Sequence, residues 1–335
     1  MYDSLLSCVR AHNDYSDFFE CPVGVRQGCV LSPTIFSLFI NQLAKYITDT
    51  GRHGIQLLSG HIELFILLFA DDVALLATTP CGLQNQLDSL KVCCDRLKME
   101  VNKDKTKVMV FRKGGHLSKH EKWYYDGAEM EVVNKYSYLG FVFTTTLSVK
   151  QGTDHLVAKG KKAVFNLCTS FQKCREMTKE TFFKVFDSKI QSVLLYSSEI
   201  WGLHRPDSIE RLHLMACKRY LGVPIRTPNK MVYGELGRFQ PFVASYVRCV
   251  KYWFRQLQME QTRLPYQAYR MLTGLDENGK NCWVTGIREG LCKTGFYFVW
   301  LQQGVGDVKS FLCVFKRRLL EIFTQEWTAD IRDKE

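Results

Sequence analysis

Glu63-Leu-Phe-Ile-Leu-Leu-Phe-Ala-Asp-Asp-Val-Ala-Leu-Leu-Ala-Thr78 places two adjacent carboxylates, Asp71 and Asp72, between two apolar runs. Each run is strand-length, rich in Leu, Ile, Phe and Val, and too short to span a bilayer. The stretch therefore reads as two buried strands joined by a tight acidic turn at the rim of a sheet. Paired charges beside low-dielectric packing repel one another and lose hydration, and a structure that keeps both ionised neutralises them with a cation. Magnesium is the expected cation, because it takes hard oxygen ligands in octahedral geometry at roughly 2.0–2.1 Å and leaves room for substrate phosphates. The dipeptide also fits a solvated hairpin turn that binds nothing, since Asp is a common turn residue.

Upstream, Gly24-Val-Arg-Gln-Gly-Cys-Val-Leu-Ser-Pro-Thr-Ile-Phe-Ser-Leu-Phe-Ile-Asn-Gln-Leu43 is a glycine-containing loop that leads into an amphipathic helix. Ser32 suits the N-cap and Pro33 the first helical position, while Ile35, Phe36, Phe39, Ile40, Leu43 and Ile47 form an apolar stripe. Arg26, Gln27 and Gly28 would sit exposed just before the helix. Glycine there lets a planar ligand approach the backbone, and Arg and Gln supply donors for phosphate or base edges. An ordinary helix entry with a solvated arginine has the same local pattern.

Together, these two segments resemble the palm of the reverse transcriptases of non-LTR (LINE-type) retrotransposons, with Gln27–Pro33 as motif B and Phe69–Asp72 as motif C. Leu97-Lys-Met-Glu-Val-Asn-Lys-Asp-Lys-Thr-Lys-Val-Met-Val-Phe111 is similar to motif D, and Tyr136-Ser-Tyr-Leu-Gly140 to motif E, the primer grip. The four occur in the family's order. Leu194-Leu-Tyr-Ser-Ser-Glu-Ile-Trp201 and Arg219-Tyr-Leu-Gly222 resemble segments beyond the palm, so the resemblance covers roughly residues 1 to 240.

The resemblance implies an RNA-directed DNA polymerase acting on an RNA template and a DNA primer with Mg2+. It makes Asp71 the principal metal ligand and Asp72 its auxiliary, with Phe69 near the primer terminus and Gln27 and Gly28 bordering nucleotide and template. Arg26 is a candidate for the same pocket. Lys105 is a candidate for protonating pyrophosphate, because an ammonium beside a leaving phosphate serves charge and proton transfer together. Tyr138, Leu139 and Gly140 would position the primer, while Trp201 and Glu199 read as packing and helix surface.

The family places another metal-binding aspartate in motif A, upstream of motif B, after a fingers region. Before Gly24 the sequence offers only Asp3, Asp14 and Asp17, in a polar setting without an apolar strand to carry a buried ligand. The chain is accordingly read as starting after motif A, a truncated copy or a gene lacking its upstream exon. A two-metal polymerase clamps ions roughly 3.5–4 Å apart with carboxylates from two strands. One strand's worth is present, and no polymerase activity is expected from the chain alone.

With 335 residues and 46% hydrophobic content, the chain can bury a sizeable core. Its net charge of +11 points to polyanionic partners. Basic residues recur at Lys103, Lys105, Lys107, Arg112 and Lys113, then Lys119 and Lys122 beside Trp123, Tyr124 and Tyr125, then Lys159, Lys161 and Lys162. Cations interleaved with rings suit a groove that tracks a nucleic-acid backbone, and each lysine singly also suits a solvated face. The cysteine count of 13 is odd and no secretory signal precedes it, so the thiols are expected reduced and packed as small apolar residues. Cys282, Cys292 and Cys313 lack a CxxC step and a nearby His, which argues against zinc. Without a signal or a membrane-length apolar run, the protein is placed inside the cell, in nucleus or cytoplasm. No motif specifies an oligomeric state.

Periodicity predicts helices over 33–48 and 83–99, a hairpin over 62–78, a strand at 108–111, a hairpin over 123–133 turning at Asp126-Gly127, and a strand carrying 136–143. After about residue 147 the pattern is helical, with Phe182, Phe183, Val185, Phe186, Ile190, Val193 and Leu194 as core. The fold class is α+β: a partial polymerase palm with a mixed or antiparallel sheet over 1–145, a helical thumb-like region over 146–240, and a helical C-terminal region over 241–335. Three readings remain: a polymerase lacking its upstream half, a non-catalytic nucleic-acid-binding palm and thumb, and a decayed element without function.

Overall fold

The computed structural model describes residues 6–12, 14–21, 24–26, 28–50, 54–57, 62–112, 114–115, 117–118, 121–173 and 177–332. The fold is α+β, and the chain divides into two compact units, Met1–Val108 with Leu117–Glu131, and Met109–His116 with Val132–Glu335.

In the first unit every described strand belongs to a two-stranded antiparallel ladder. These are β1 (Leu6–Ser7) with β4 (Phe19–Glu20), β2 (Arg10–Ala11) with β3 (Asp14–Tyr15), β5 (Ile55–Leu57) with β6 (Ile62–Leu64), β7 (Ile66–Phe69) with β8 (Asp72–Leu75), and β9 (Tyr124–Tyr125) with β10 (Ala128–Glu129). The expected continuous sheet is thus a set of separate hairpins. Its predicted buried hairpin is also only half-buried, and Phe69 is 62% exposed, because among the described residues no further strand covers the outer edges of β7 and β8.

The core of this unit lies between helices α1 (Ser32–Thr50) and α2 (Pro80–Leu97). Leu43 and Ile47 are fully buried and Ile40 nearly so, whereas Ile35 and Phe39, from the same predicted stripe, are exposed. Ser32 does not cap α1 as expected. It is the first helical residue, and its hydroxyl donates to the Arg26 carbonyl at 2.6 Å, while the first helical bond runs from Ile35 N to Leu31 O. Thr79 caps α2 by accepting from Gly82 N at 3.1 Å, with Pro80 following at the first helical turn.

Two glutamines of α2 fix the neighbouring hairpins. Gln86, fully buried, donates to the Leu76 carbonyl just past β8 at 3.1 Å. Gln84 exchanges two hydrogen bonds with the Tyr124 backbone, 2.8 and 2.9 Å. The β9–β10 hairpin turns at Asp126-Gly127 as expected, both with positive φ, which matches the twist of a two-residue hairpin. Residues 108–111 are not a strand: only Val108 forms an isolated bridge, its N–H donating to Glu131 O at 3.0 Å.

The second unit opens with β11 (Lys135–Tyr138) and β12 (Phe141–Thr144), a hairpin where one strand was expected. Leu139 and Gly140 turn it with φ of 46° and 81°. Next come α3 (Val149–Lys173), α4 (Lys179–Val185), a π-helix (Phe186–Gln191), α5 (Ser192–Leu194), α6 (Ser198–Trp201), α7 (Asp207–Leu221) and α8 (Asn229–Leu236). The remainder is α9 (Pro241–Leu257), α10 (Leu264–Glu277), α11 (Trp283–Lys293), α12 (Tyr297–Leu301) and α13 (Val308–Arg332). One hydrophobic core gathers Phe182, Phe186, Ile190, Leu194, Trp201 and Ala216, and a second gathers Cys249, Trp253, Ile287, Leu291, Val299 and Phe315. Gly152 lets α3 meet β12, because a Cβ there would lie 2.2 Å from the Phe141 ring.

Candidate functional site

The acid pair sits on a two-residue turn. Phe69 pairs with Asp72 across the ladder, leaving Ala70 and Asp71 as the loop, with Ala70 at φ 51°. Positive φ at the first loop position is a place for glycine, and an alanine held there stores strain of about 1 kcal/mol. Asp71 therefore projects from the turn and Asp72 opens β8. Both are exposed, and among the described residues neither carboxylate forms an ion pair or a side-chain hydrogen bond. Ladder bonds from β7 and the Gln86 contact beyond β8 hold the turn.

Arg26 and Gly28 lie in the loop before α1, both exposed, with Gly28 at φ 85° and open space around its Cα. The Arg26 carbonyl accepts from Cys29 N and Ser32 Oγ, which folds the loop back on the helix start. Gln27 lies outside the described residues. Lys105 is exposed on the turn 103–105, shaped by Asn102, whose side-chain oxygen accepts from Lys105 N at 3.0 Å and whose carbonyl accepts from Thr106.

The proposed basic groove is depleted by local pairing. Lys103 meets Asp126 at 2.7 Å, Lys107 meets Glu131 at 2.6 Å and Lys122 meets Glu129 at 2.9 Å, while Trp123 and Tyr125 are buried as core. Lys113 and Lys119 lie outside the described residues. The exposed Lys159, Lys161 and Lys162 on α3 are left as the clearest basic run. All described cysteines are free thiols, and the described residues contain no group of three or more His, Cys, Asp or Glu arranged for a metal.

In the second unit, the Leu139-Gly140 turn is clamped by Tyr196, whose hydroxyl donates to Leu139 O at 2.7 Å and whose ring lies 3.6 Å from a Cβ built on Gly140. Sequence reading placed Tyr196 in a recognised segment without giving it this role. Trp201 is buried and donates to Tyr196 O at 2.9 Å, in keeping with its packing assignment.

Residues 2–143 match the family described as reverse transcriptase (RNA-dependent DNA polymerase). This segment is similar to the reverse transcriptase family. A probable RNA-directed DNA polymerase from transposon BS of Drosophila melanogaster is 24% identical over 217 residues, covering 62% of this chain and 23% of that protein. An RNA-directed DNA polymerase from mobile element jockey of Drosophila funebris is 20% identical over 201 residues, 58% of this chain and 21% of that protein. The matches therefore span less than a quarter of either relative. They support the resemblance to non-LTR retrotransposon reverse transcriptases. Reverse transcriptases use divalent metal ions and nucleic-acid template and primer. No helix among the described residues is long and apolar enough to cross a membrane.

A second polar cluster lies outside the reverse transcriptase segment. His213 of α7 is buried, and its Nε2 accepts from Arg238 Nε at 3.3 Å, which places the ring proton on Nδ1, 3.5 Å from the Tyr233 hydroxyl. Arg238 in turn makes a bidentate pair with Asp187 at 2.6 and 3.0 Å. Burial, then the Arg238 charge, lower the His213 pKa from 6.5 to about 3. Burial pushes the neighbouring Cys217 thiol up to about 12, so the Cys217–His213 contact at 3.6 Å is an inert pair and not a nucleophile with its base. Below pH 6.5 the unfolded chain protonates His213 while the folded chain refuses the proton until about pH 3. The stabilisation is complete above pH 6.5 and falls as pH drops through that window, by at most about 1.4 kcal/mol per pH unit. Urea midpoints between pH 7 and pH 4 should show this slope, and His213→Gln should flatten it.

Proposed function

We propose that the chain supplies the acid-bearing hairpin and the primer-contacting helical region of an RNA-directed DNA polymerase of a non-LTR retrotransposon, and that it does not extend a primer by itself. Two exposed carboxylates at a two-residue turn, without an ion pair or side-chain hydrogen bond among the described residues and following the Gly28 loop and helix in family order, carry this reading. Residues 1–145 are read as palm, 146–240 as a thumb-like region and 241–335 as a helical C-terminal region, working inside the cell in nucleus or cytoplasm.

The donor set fits one divalent ion of magnesium's kind: two hard anionic groups open to solvent, with room for water and phosphate to complete the shell. It does not fit two ions, since in this chain the described residues bring no second strand's carboxylate to the pair. A bound ion would supply charge neutralisation at a phosphate and Lewis acidity at a hydroxyl. Asp71 and Asp72 would hold it. Arg26, Gln27 and Gly28 would border nucleotide and template, Phe69 would pack near the primer end, and Lys105 would offer a proton to the leaving pyrophosphate. Tyr138, Leu139 and Gly140 would position the primer.

Titrated with Mn2+ as a spectroscopic substitute for Mg2+, the chain is expected to bind one ion, about tenfold more weakly in Asp71→Ala. In primer extension on an RNA template with Mg2+, the chain alone is expected to give no product. Extension that Asp71→Ala abolishes would overturn the inactivity, and Mn2+ binding indifferent to Asp71→Ala would overturn the site. A second reading, nucleic-acid binding without catalysis, draws support from the exposed Lys159, Lys161 and Lys162. It requires salt-dependent binding that survives loss of both acids.

A further inference from the structure

The second unit contains a cavity of about 270 Å³ between α8, the residues just after it and the last turns of α13, outside the matched residues 2–143. Arg205, Lys230 and Arg238 line it together with the rings of Tyr233, Phe323 and Trp327. Its volume is near the lower end for ligand pockets and suits one ring with a short polar extension.

The two arginines differ in how their charge is used. Arg238 is spent on Asp187 and His213, and Asp187 is brought to it by the π-helix, a form of turn that recurs at functional sites. Arg205 makes no ion pair or hydrogen bond among the described residues. Its guanidinium lies over the rings of Phe242 at 4.1 Å and Phe323 at 5.3 Å, which fixes the plane and leaves the N–H edge for an anion.

Trp327 also lines the cavity. Its indole occupies space that only a glycine at 234 permits, because a Cβ there would stand 2.4 Å from the ring. Its Nε1 is buried without a hydrogen-bond partner among the described residues. An indole ring and a guanidinium held on two phenyl rings, lining one cavity together with Lys230 and Glu326, match a ligand that joins a planar heterocycle to a phosphate.

We propose that this cavity binds a nucleoside phosphate, its base against Trp327 and its phosphate on Arg205, supplied as a free nucleotide or as an unpaired end of a single strand. The site shares no residue with the acid pair at Asp71 and Asp72.

The test is calorimetric titration of the full chain with adenosine 5′-monophosphate, inorganic phosphate and a ten-residue oligo-dA. The monophosphate should bind at least about tenfold more tightly than phosphate, from the added stacking. Arg205→Ala should weaken it about tenfold, and Thr324→Trp, which fills the cavity from exposed α13, should abolish it, with thermal transitions kept. Gly234→Ala, by displacing the indole, should weaken the monophosphate and leave phosphate binding unchanged. Asp71→Ala should change nothing at this site. If Thr324→Trp also weakens oligo-dA, the source is a strand end, and if it spares oligo-dA, the source is the free nucleotide. No monophosphate binding at millimolar concentration, phosphate binding equally tightly, or affinity unchanged in folded Arg205→Ala and Thr324→Trp would each overturn the proposal.

Discussion

Trp253→Ala is expected to destabilise the second unit by about 3–5 kcal/mol, a large share of the total stability of an ordinary domain. Trp253 is fully buried at the centre of the C-terminal core, stacks on Trp300 with centroids 5.6 Å apart, and packs against Phe254 at 4.7 Å. Alanine leaves a void among helices that meet from several directions, so collapse cannot refill it. It also removes the indole N–H that Tyr269 accepts at 3.3 Å, although Tyr269 keeps its own bond to Gln303 at 2.6 Å. Urea unfolding followed by far-ultraviolet circular dichroism reads the change, and a loss below 1 kcal/mol would mean that this core is not packed as described.

Gly290→Ala should cost about 3 kcal/mol by the opposite physics. A Cβ on Gly290 would stand 1.0 Å from the Tyr246 hydroxyl, in space that is already filled. Alanine must expel a buried tyrosine from between α9 and α11 and break its bond to the Gly286 carbonyl, 3.2 Å. Overpacking and a lost hydrogen bond add to that total. Tyr246→Phe, which removes only the hydroxyl, should cost about 1 kcal/mol in the same unfolding experiment and should partly relieve Gly290→Ala when combined with it.

Where a local rule has a single physical cause, the sequence carried it through to the structure. Asp126-Gly127 turns a hairpin because both residues tolerate positive φ, and helical spacing selects Leu43, Ile47, Leu87 and Leu90, which are buried, although Ile35 and Phe39 of the first stripe are exposed. Leu139-Gly140 makes the same kind of turn but was hidden inside a strand-like run, since leucine at positive φ is held by tertiary contact and not by preference. Thr79-Pro80 is an ordinary helix start, overlooked because the apolar periodicity begins later, at Leu83.

The acid pair was legible because two charges in an apolar run are anomalous wherever they fall. Its solvent exposure was not, because that depends on which strands cover β7 and β8. The lysine-rich stretch misled for a related reason. Lys103 and Lys107 find acids 23 and 24 residues away, beyond any short window of sequence, while Lys122 pairs with Glu129 seven residues on. The Asp187–Arg238 pair spans 51 residues, and the cavity beside it draws on three separated segments. None of those residues carries a motif.

The Leu139-Gly140 turn has a mechanical consequence. Tyr196 grips its tip through the Leu139 carbonyl, and the Phe141 ring just past the turn is seated in the notch left by Gly152. Held at two points beside its turn, the hairpin is tied to α3 at that end, as the short end of a lever is tied to its arm. A push on that tip is transmitted to the helix instead of being absorbed by bending of the loop.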